Sequence, residues 1–202
     1  MRNVFAFSIG MIVALSPALA AAQEQPAAPQ TAALPGQTLA QKQQMRLDGL
    51  FAALKRESNA VKASRLATQI QAQWEHSGSA SIDLMMGWAA KAIEEKKYAV
   101  AMDFLDQVVV MKPDYAEGWN RRATLNFLTN DYARSMADIQ KTLALEPRHF
   151  GAMAGMAAIL KDTGRKEAAL EAFERVLTVY PMMREAQKQV GELSDELTGQ
   201  RT

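Results

Sequence analysis

From Leu39 almost to the end of the chain, apolar residues recur at intervals of three and four, the spacing that gathers side chains on one face of an α-helix. Leu47, Leu50, Phe51 and Leu54 form one such stripe, and Leu66, Ile70 and Trp74 form a second. Short polar runs interrupt the pattern: EEKKY near 94–98, TNDY at 129–132 and DTGR at 162–165. Each is predicted to be a turn between two helices of roughly a dozen residues.

Three prolines punctuate this pattern at a fixed period. Pro113, Pro147 and Pro181 stand 34 and 34 residues apart, each at the end of an apolar run: FLDQVVVMKP, IQKTLALEP and FERVLTVYP. Proline stops one helix and bends the chain toward the next. Aligning on them divides the chain into blocks 82–115, 116–149 and 150–183, each holding a predicted helical hairpin. The eighth place of the blocks holds Ala89, Ala123 and Ala157, and the twentieth holds Ala101, Ser135 and Ala169. Small residues at both places let the two helices of a hairpin approach closely. The twenty-fourth place holds Leu105, Ile139 and Phe173, which are large enough to fill the space beside that approach.

Residues 42–79 read as a degenerate first hairpin, without a closing proline but with Ser77-Gly78-Ser79, where glycine is free to take the left-handed turn. Residues 184–199 continue as a helix with Ala186, Val190, Leu193 and Leu197 on one face and charge on the other. That amphipathic pattern suits a capping helix.

The chain therefore resembles the tetratricopeptide repeat family. Trp119, Ala123, Ser135, Ile139 and Pro147 carry the best copy; Ala157, Gly164, Ala169, Phe173 and Pro181 carry the next; Ala89, Tyr98, Ala101, Leu105 and Pro113 carry the first. Trp88 and Arg122 depart from the leucine usual in their column, and Thr142 stands where alanine is usual. The resemblance implies an all-α fold, a right-handed α-solenoid of stacked helix-turn-helix repeats over 41–199, closed by the capping helix. It also implies that the first helix of each repeat lines a concave face that binds a protein or peptide. Carried over by column, that face comprises Asp83, Met86, Ala90 and Ile93, then Glu117, Asn120, Arg121, Thr124 and Phe127, then Ala154, Ala158 and Lys161. Some relatives grip a partner's terminal carboxylate with Lys and Asn. Here those columns carry Met86, Ala90 and Gly151, so that grip is not expected.

Composition narrows the function further. Lys+Arg 23 against Asp+Glu 22 gives a net charge of +1, which speaks against a general nucleic-acid or anionic-membrane binder. Cysteine is absent, which removes disulfides, thiolate metal sites and a cysteine nucleophile. The N-terminus reads as a targeting signal: Arg2, the apolar run Val4 to Leu15, Pro17, then Ala18-Leu19-Ala20 with cleavage expected after Ala20. A linker rich in Ala, Gln and Pro occupies 21–40, with Pro26, Pro29, Pro35 and Gly36. Together these predict an exported protein, periplasmic in a Gram-negative cell, without a stable membrane anchor once the leader is removed.

Catalytic chemistry finds no convergent set of groups. His76 and His149 stand 73 residues apart with no spacing that makes a zinc site. The acidic groups Glu94-Glu95, Asp103 with Asp106, and Glu192 with Asp195 and Glu196 sit on polar faces beside lysines. No G-x-S-x-G elbow occurs, and Gly151 and Gly155 lack the strand and Gly-Lys-Ser/Thr of a phosphate loop, so they are expected to ease helix packing. Arg122 is expected to lay its stem beside Trp119 and pair with an acid, while Arg121 is open either to that use or to holding a partner carboxylate. The 12 methionines fall mostly in core columns, Met86 excepted as a candidate contact. The expected function is a cofactor-free, non-enzymatic interaction module or scaffold of the bacterial envelope, the alternative being a structural subunit of a permanent envelope assembly.

Overall fold

The computed structural model describes residues 39–199, and side chains from residue 41. The expected leader at 1–20 and the linker up to residue 38 lie outside the described residues. All the described structure is helical: α1 Leu39–Arg56, α2 Ala60–Glu75, α3 Ala80–Glu94, α4 Tyr98–Met111, α5 Ala116–Leu128, α6 Tyr132–Leu145, α7 Phe150–Asp162, α8 Lys166–Val179 and α9 Arg184–Gly199. These helices belong to one compact unit.

Three hairpins, α3–α4, α5–α6 and α7–α8, follow the 34-residue period. Their inner contacts are those the small columns demand. Ala89, Ala123, Ala157, Ala101, Ser135 and Ala169 are all buried, and the Ser135 hydroxyl donates to the Ala123 carbonyl at 2.8 Å. Leu105, Ile139 and Phe173 are buried beside them. Truncating Leu105, Ile139 or Phe173 to alanine would leave a cavity costing about 2–5 kcal/mol, so these columns hold each hairpin in register.

The fifteenth place of every block makes the turn within the hairpin. Lys96, Asn130 and Gly164 occupy it with φ of 56°, 61° and 76°. Glycine takes that left-handed conformation freely and asparagine readily; Lys96 is held there by the helices on either side. Asp131 then caps α6 by accepting from Arg134 N–H at 3.1 Å.

Between repeats, the indole of Trp119 donates to the Pro113 carbonyl at 2.9 Å, and the Gln187 amide does the same to Pro181 at 2.8 Å. Both donors stand six residues beyond the proline, so each ties the start of a new helix to the bend before it. Arg122 lies 4.9 Å from the Trp119 ring and reaches Asp138 of α6 through Nε at 2.9 Å and Nη2 at 2.7 Å. Its Nη1 donates to Asp106 of α4 at 2.7 Å. One guanidinium therefore joins two repeats. At the C-terminal end, α9 buries Ala186, Gln189 and Leu193 against α8 and leaves Lys188, Glu192 and Asp195 exposed.

The N-terminal hairpin departs from the sequence reading. A degenerate first repeat would stack α2 on α3; instead α1 packs on α8 and α2 on α5. Leu47, Phe51 and Leu54 of α1 and Ala63, Ala67, Ile70 and Trp74 of α2 share one core with Phe150, Met153, Phe173, Val176, Tyr180 and Leu193. Helix α2 runs along the row of turns that join the repeats. Its start lies beside Met183, Trp74 stacks on His149, and the Glu75 carbonyl accepts from the Tyr115 hydroxyl at 2.9 Å. Met183, His149 and Tyr115 are the last residues of the three blocks. The amphipathic stripes of α1 and α2 were legible, but a stripe states only that a face must be covered, and here α7–α9 cover it. Without a closing proline, the bend Ser77-Gly78-Ser79 (Gly78 φ 80°) lets the hairpin turn away from the stack.

Candidate peptide-binding cleft

Helices α5 and α7, the first helices of successive repeats, lie side by side over α6. Between them runs a cleft of about 120 Å³ lined by Asn120, Thr124 and Phe127 of α5, Ser135 and Ile139 of α6, and Gly151 and Gly155 of α7. Its lining is mainly apolar and small. Phe127 forms one wall, stacked on Tyr132 with centroids 5.6 Å apart. The two glycines are not required by helix packing, contrary to the expectation from sequence. A methyl group on Gly155 would come no closer than 3.7 Å to Ile139, and one on Gly151 no closer than 3.4 Å to His149. They leave the α7 wall of the cleft bare, so a ligand backbone could approach α7 closely.

Adjoining it, and sharing Asn120 and Gly151, is a polar pocket of about 250 Å³. Asn120, Arg121 and Glu117 of α5 meet Gln71, Trp74 and Glu75 of α2 and His149 there. Glu117 is buried and organises the pocket. It accepts from His149 Nε2 at 3.1 Å, from the Asn120 amide at 3.0 Å and from Arg121 at 3.1 Å. Burial alone would raise its pKa; the His149 hydrogen bond, with the Arg121 charge and the Asn120 hydrogen bond, outweighs it and holds the carboxyl below its ordinary range. His149 Nδ1 accepts from Ala152 N–H at 3.1 Å, capping α7, which leaves Nε2–H as the donor to Glu117. Burial, then the Glu117 charge, raises the Tyr115 phenol and keeps it a neutral donor to the α2 terminus. The buried Trp74 indole N–H has no acceptor among the described residues.

The structure separates the column-derived residues. Asn120, Thr124 and Phe127 share the apolar cleft, and Glu117, Arg121 and Asn120 share the polar pocket. Arg121 is engaged rather than free, placed 3.1 Å from Glu117 and 3.9 Å from Glu75. Met86 is buried in the core of the first repeat with Ile93 packed against it, and Ala90 is half-buried beside them. Asp83 is turned toward the α2–α3 bend, where it accepts from Ser77 N–H at 2.9 Å; despite some desolvation, the Ser77 hydrogen bonds lower its pKa. Lys161 faces α9 instead of the cleft, donating to Gln189 and standing 3.7 Å from Glu192. Ala154 and Ala158 are half-buried on α7. Gln71, Trp74, Glu75 and His149 were missed, because α2 reaches this pocket only through the hairpin's tertiary placement. Among the described residues, no three His, Asp or Glu side chains converge to hold a metal ion, and no helix is long and apolar enough to cross a membrane.

Comparison with known proteins agrees with this architecture. A tetratricopeptide repeat model matches residues 151–181. The chain is 55% identical over 157 residues to a TPR repeat-containing protein of Rhizobium etli, which spans 78% of this chain and 77% of that protein. Among solved structures, the first TPR of Spaghetti (RPAP3) bound to an HSP90 peptide is similar over 58% of this chain and 93% of its own, with TM-score 0.55 and 22% identity. MamA is similar over 80% of this chain and 85% of its own, with TM-score 0.55 and 16% identity. These two likenesses are of fold. The long match at 55% identity carries more, and with the 34-residue period, the paired small columns and the stacked hairpins it establishes that the chain belongs to the tetratricopeptide repeat family.

Proposed function

We propose that this protein is a non-enzymatic scaffold of the bacterial cell envelope that binds a peptide segment of another protein along α5 and α7. The observation that carries the reading is the pair of adjoining pockets that share Asn120 and Gly151, one apolar between α5 and α7 and one polar where α2 joins them. Such a groove suits an extended segment that places an apolar side chain against Phe127 and backbone groups against Asn120 and Arg121. The RPAP3 domain similar in fold was solved with a peptide, which agrees with this use of the architecture. Export is supported by Arg2, the apolar run Val4 to Leu15 and the Ala18-Leu19-Ala20 motif.

The test is crosslinking and affinity capture from the native cell envelope, comparing the parent with Asn120→Ala/Phe127→Ala. Both side chains are only half-buried, so the double variant is expected to remain folded and to lose its partner. A partner held equally by both proteins would move the binding surface off this cleft. Recovery of the protein only from the cytoplasm would remove the envelope location.

A further inference from the structure

Where the start of α2 meets the turn before α9, a groove of about 530 Å³ lies apart from the α5–α7 cleft and shares no residue with it. Val61 of α2 and Tyr180, Met182 and Met183 of the turn give it an apolar lining, and Arg65 and Arg184 complete it. Val61 is 58% exposed, and the two methionines are half-buried on the core beneath. Unbranched thioether side chains adapt to the shape of what they meet. Tyr180 is buried edge-on against Phe150, ring centroids 5.5 Å apart. Its hydroxyl is not sealed from solvent and has no hydrogen-bond partner among the described residues.

The cations at this groove lack acids to match them. From Leu39 to Arg65 stand Lys42, Arg46, Lys55, Arg56, Lys62 and Arg65 against only Asp48 and Glu57. Asp48 is held by Arg148, and Glu57 accepts from Asn59 N–H at 2.8 Å. Glu185, next to Arg184, accepts from the Gln189 amide at 2.9 Å. Among the described residues Arg65 and Arg184 form no ion pair or side-chain hydrogen bond, whereas Arg121, Arg122, Arg134 and Arg148 are all paired. The whole chain balances Lys+Arg 23 against Asp+Glu 22, so the excess is local. Helix α2 has no acidic residue in its first turn, and Arg184 is the first residue of α9. The start of a helix favours an anion and disfavours a cation, so helix stability gives no reason for Arg184 at that place.

We propose that this groove is a second binding site, for an acidic segment of a partner protein. An apolar side chain of that segment lies on Val61, Met182 and Met183, and flanking carboxylates pair with Arg65 and Arg184. Guanidinium matches carboxylate in two parallel hydrogen bonds, and a covering apolar side chain strengthens such a pair by excluding water. Charge selects this occupant over others. A neutral or basic segment leaves both guanidiniums unmatched, and a second copy presenting the same groove sets arginine against arginine. The chain's own residues 21–38 supply one carboxylate, Glu24, for two arginines.

Fluorescence anisotropy of the purified chain tests this, with short labelled peptides in which two glutamates flank one, two or three leucines. Saturable binding of at least one peptide is expected, weakened by added salt and at least about tenfold weaker for its glutamine counterpart. Arg65→Gln/Arg184→Gln is expected to weaken binding by a similar factor at an unchanged melting temperature, since both side chains are exposed. Val61→Asp, which sets an acid in the exposed first turn of α2, is expected to do the same. Asn120→Ala/Phe127→Ala is expected to leave this binding intact, which separates the groove from the α5–α7 cleft. No saturable binding, equal binding of the glutamine peptides, or indifference to the arginine and Val61 variants would each overturn the proposal. So would tighter binding once residues 21–38 are deleted, or attachment to phosphatidylglycerol vesicles in place of the peptides. Those results would give the groove to the chain's own linker or to a membrane.

Discussion

The indole of Trp74 lies flat on the imidazole of His149, ring centroids 4.0 Å apart and planes inclined by 11°. This stack joins the N-terminal hairpin to the repeats, since Trp74 belongs to α2 and His149 caps α7. Around it, Phe51 lies 5.8 Å from Trp74, Phe150 5.1 Å, and the Arg148 guanidinium 4.3 Å from Phe51. Arg148 also donates to Asp48 of α1 at 2.7 Å, so aromatic and ionic contacts hold the hairpin at one place.

Trp74→Ala should therefore release the hairpin first. The buried ring is worth about 3–5 kcal/mol, and hydrogen exchange should show protection falling furthest in α1 and α2 while α3–α6 retain theirs. A uniform loss across all helices would show instead that hairpin and repeats unfold as one.

Glu117 makes stability depend on acid. Its folded pKa lies below the 4.5 of a free glutamate, so its contribution is fully present above about pH 4.5 and is lost as pH falls through the lower native value. Urea midpoints measured from pH 6 down to about pH 3 should fall less steeply in Glu117→Gln than in the parent. Parallel slopes would mean that other carboxylates carry the acid response.

Arg122 serves two carboxylates of different burial. Removing Arg122 strands Asp138, which is buried, with only the Asn126 amide at 3.1 Å to compensate. Arg122→Ala is expected to cost about 2–3 kcal/mol in chemical denaturation. Asp106→Ala, at the exposed end of the same bridge, should cost no more than about 1 kcal/mol. Equal costs would contradict this division.

Two glycines should respond oppositely to alanine. At Gly118 a methyl group would stand 2.8 Å from Val108 Cγ1 and 3.2 Å from the Tyr115 ring, so Gly118→Ala is expected to destabilise by about 1–2 kcal/mol. Gly155→Ala meets nothing within 3.7 Å and should stabilise by about 0.5–1 kcal/mol through helix propensity. The same methyl narrows the cleft, so under the proposed function a more stable protein with weaker partner binding is the expected pair of results.

The sequence by itself determined the helices, the 34-residue period and the register of the three hairpins. Those properties are local: Ala89, Ala101 and Leu105 meet across a single turn, and each proline bends the chain where it stands. Asn120, Thr124 and Phe127 were likewise legible as one row, because spacing along α5 alone places them together. Tertiary structure alone decided where α1 and α2 would bury their stripes. Leu47, Ile70 and Trp74 required a nonpolar cover, but burial is non-directional, and no local signal distinguishes α3 from α7–α9 as its source. The partners that select it, Arg148 for Asp48 and His149 for Trp74, are about a hundred residues and 75 residues away along the chain, so they exist as partners only once the repeats have stacked. That same choice brings Gln71 and Glu75 to the polar pocket, and among the described residues it leaves Leu84 and Trp88 of α3 half-exposed.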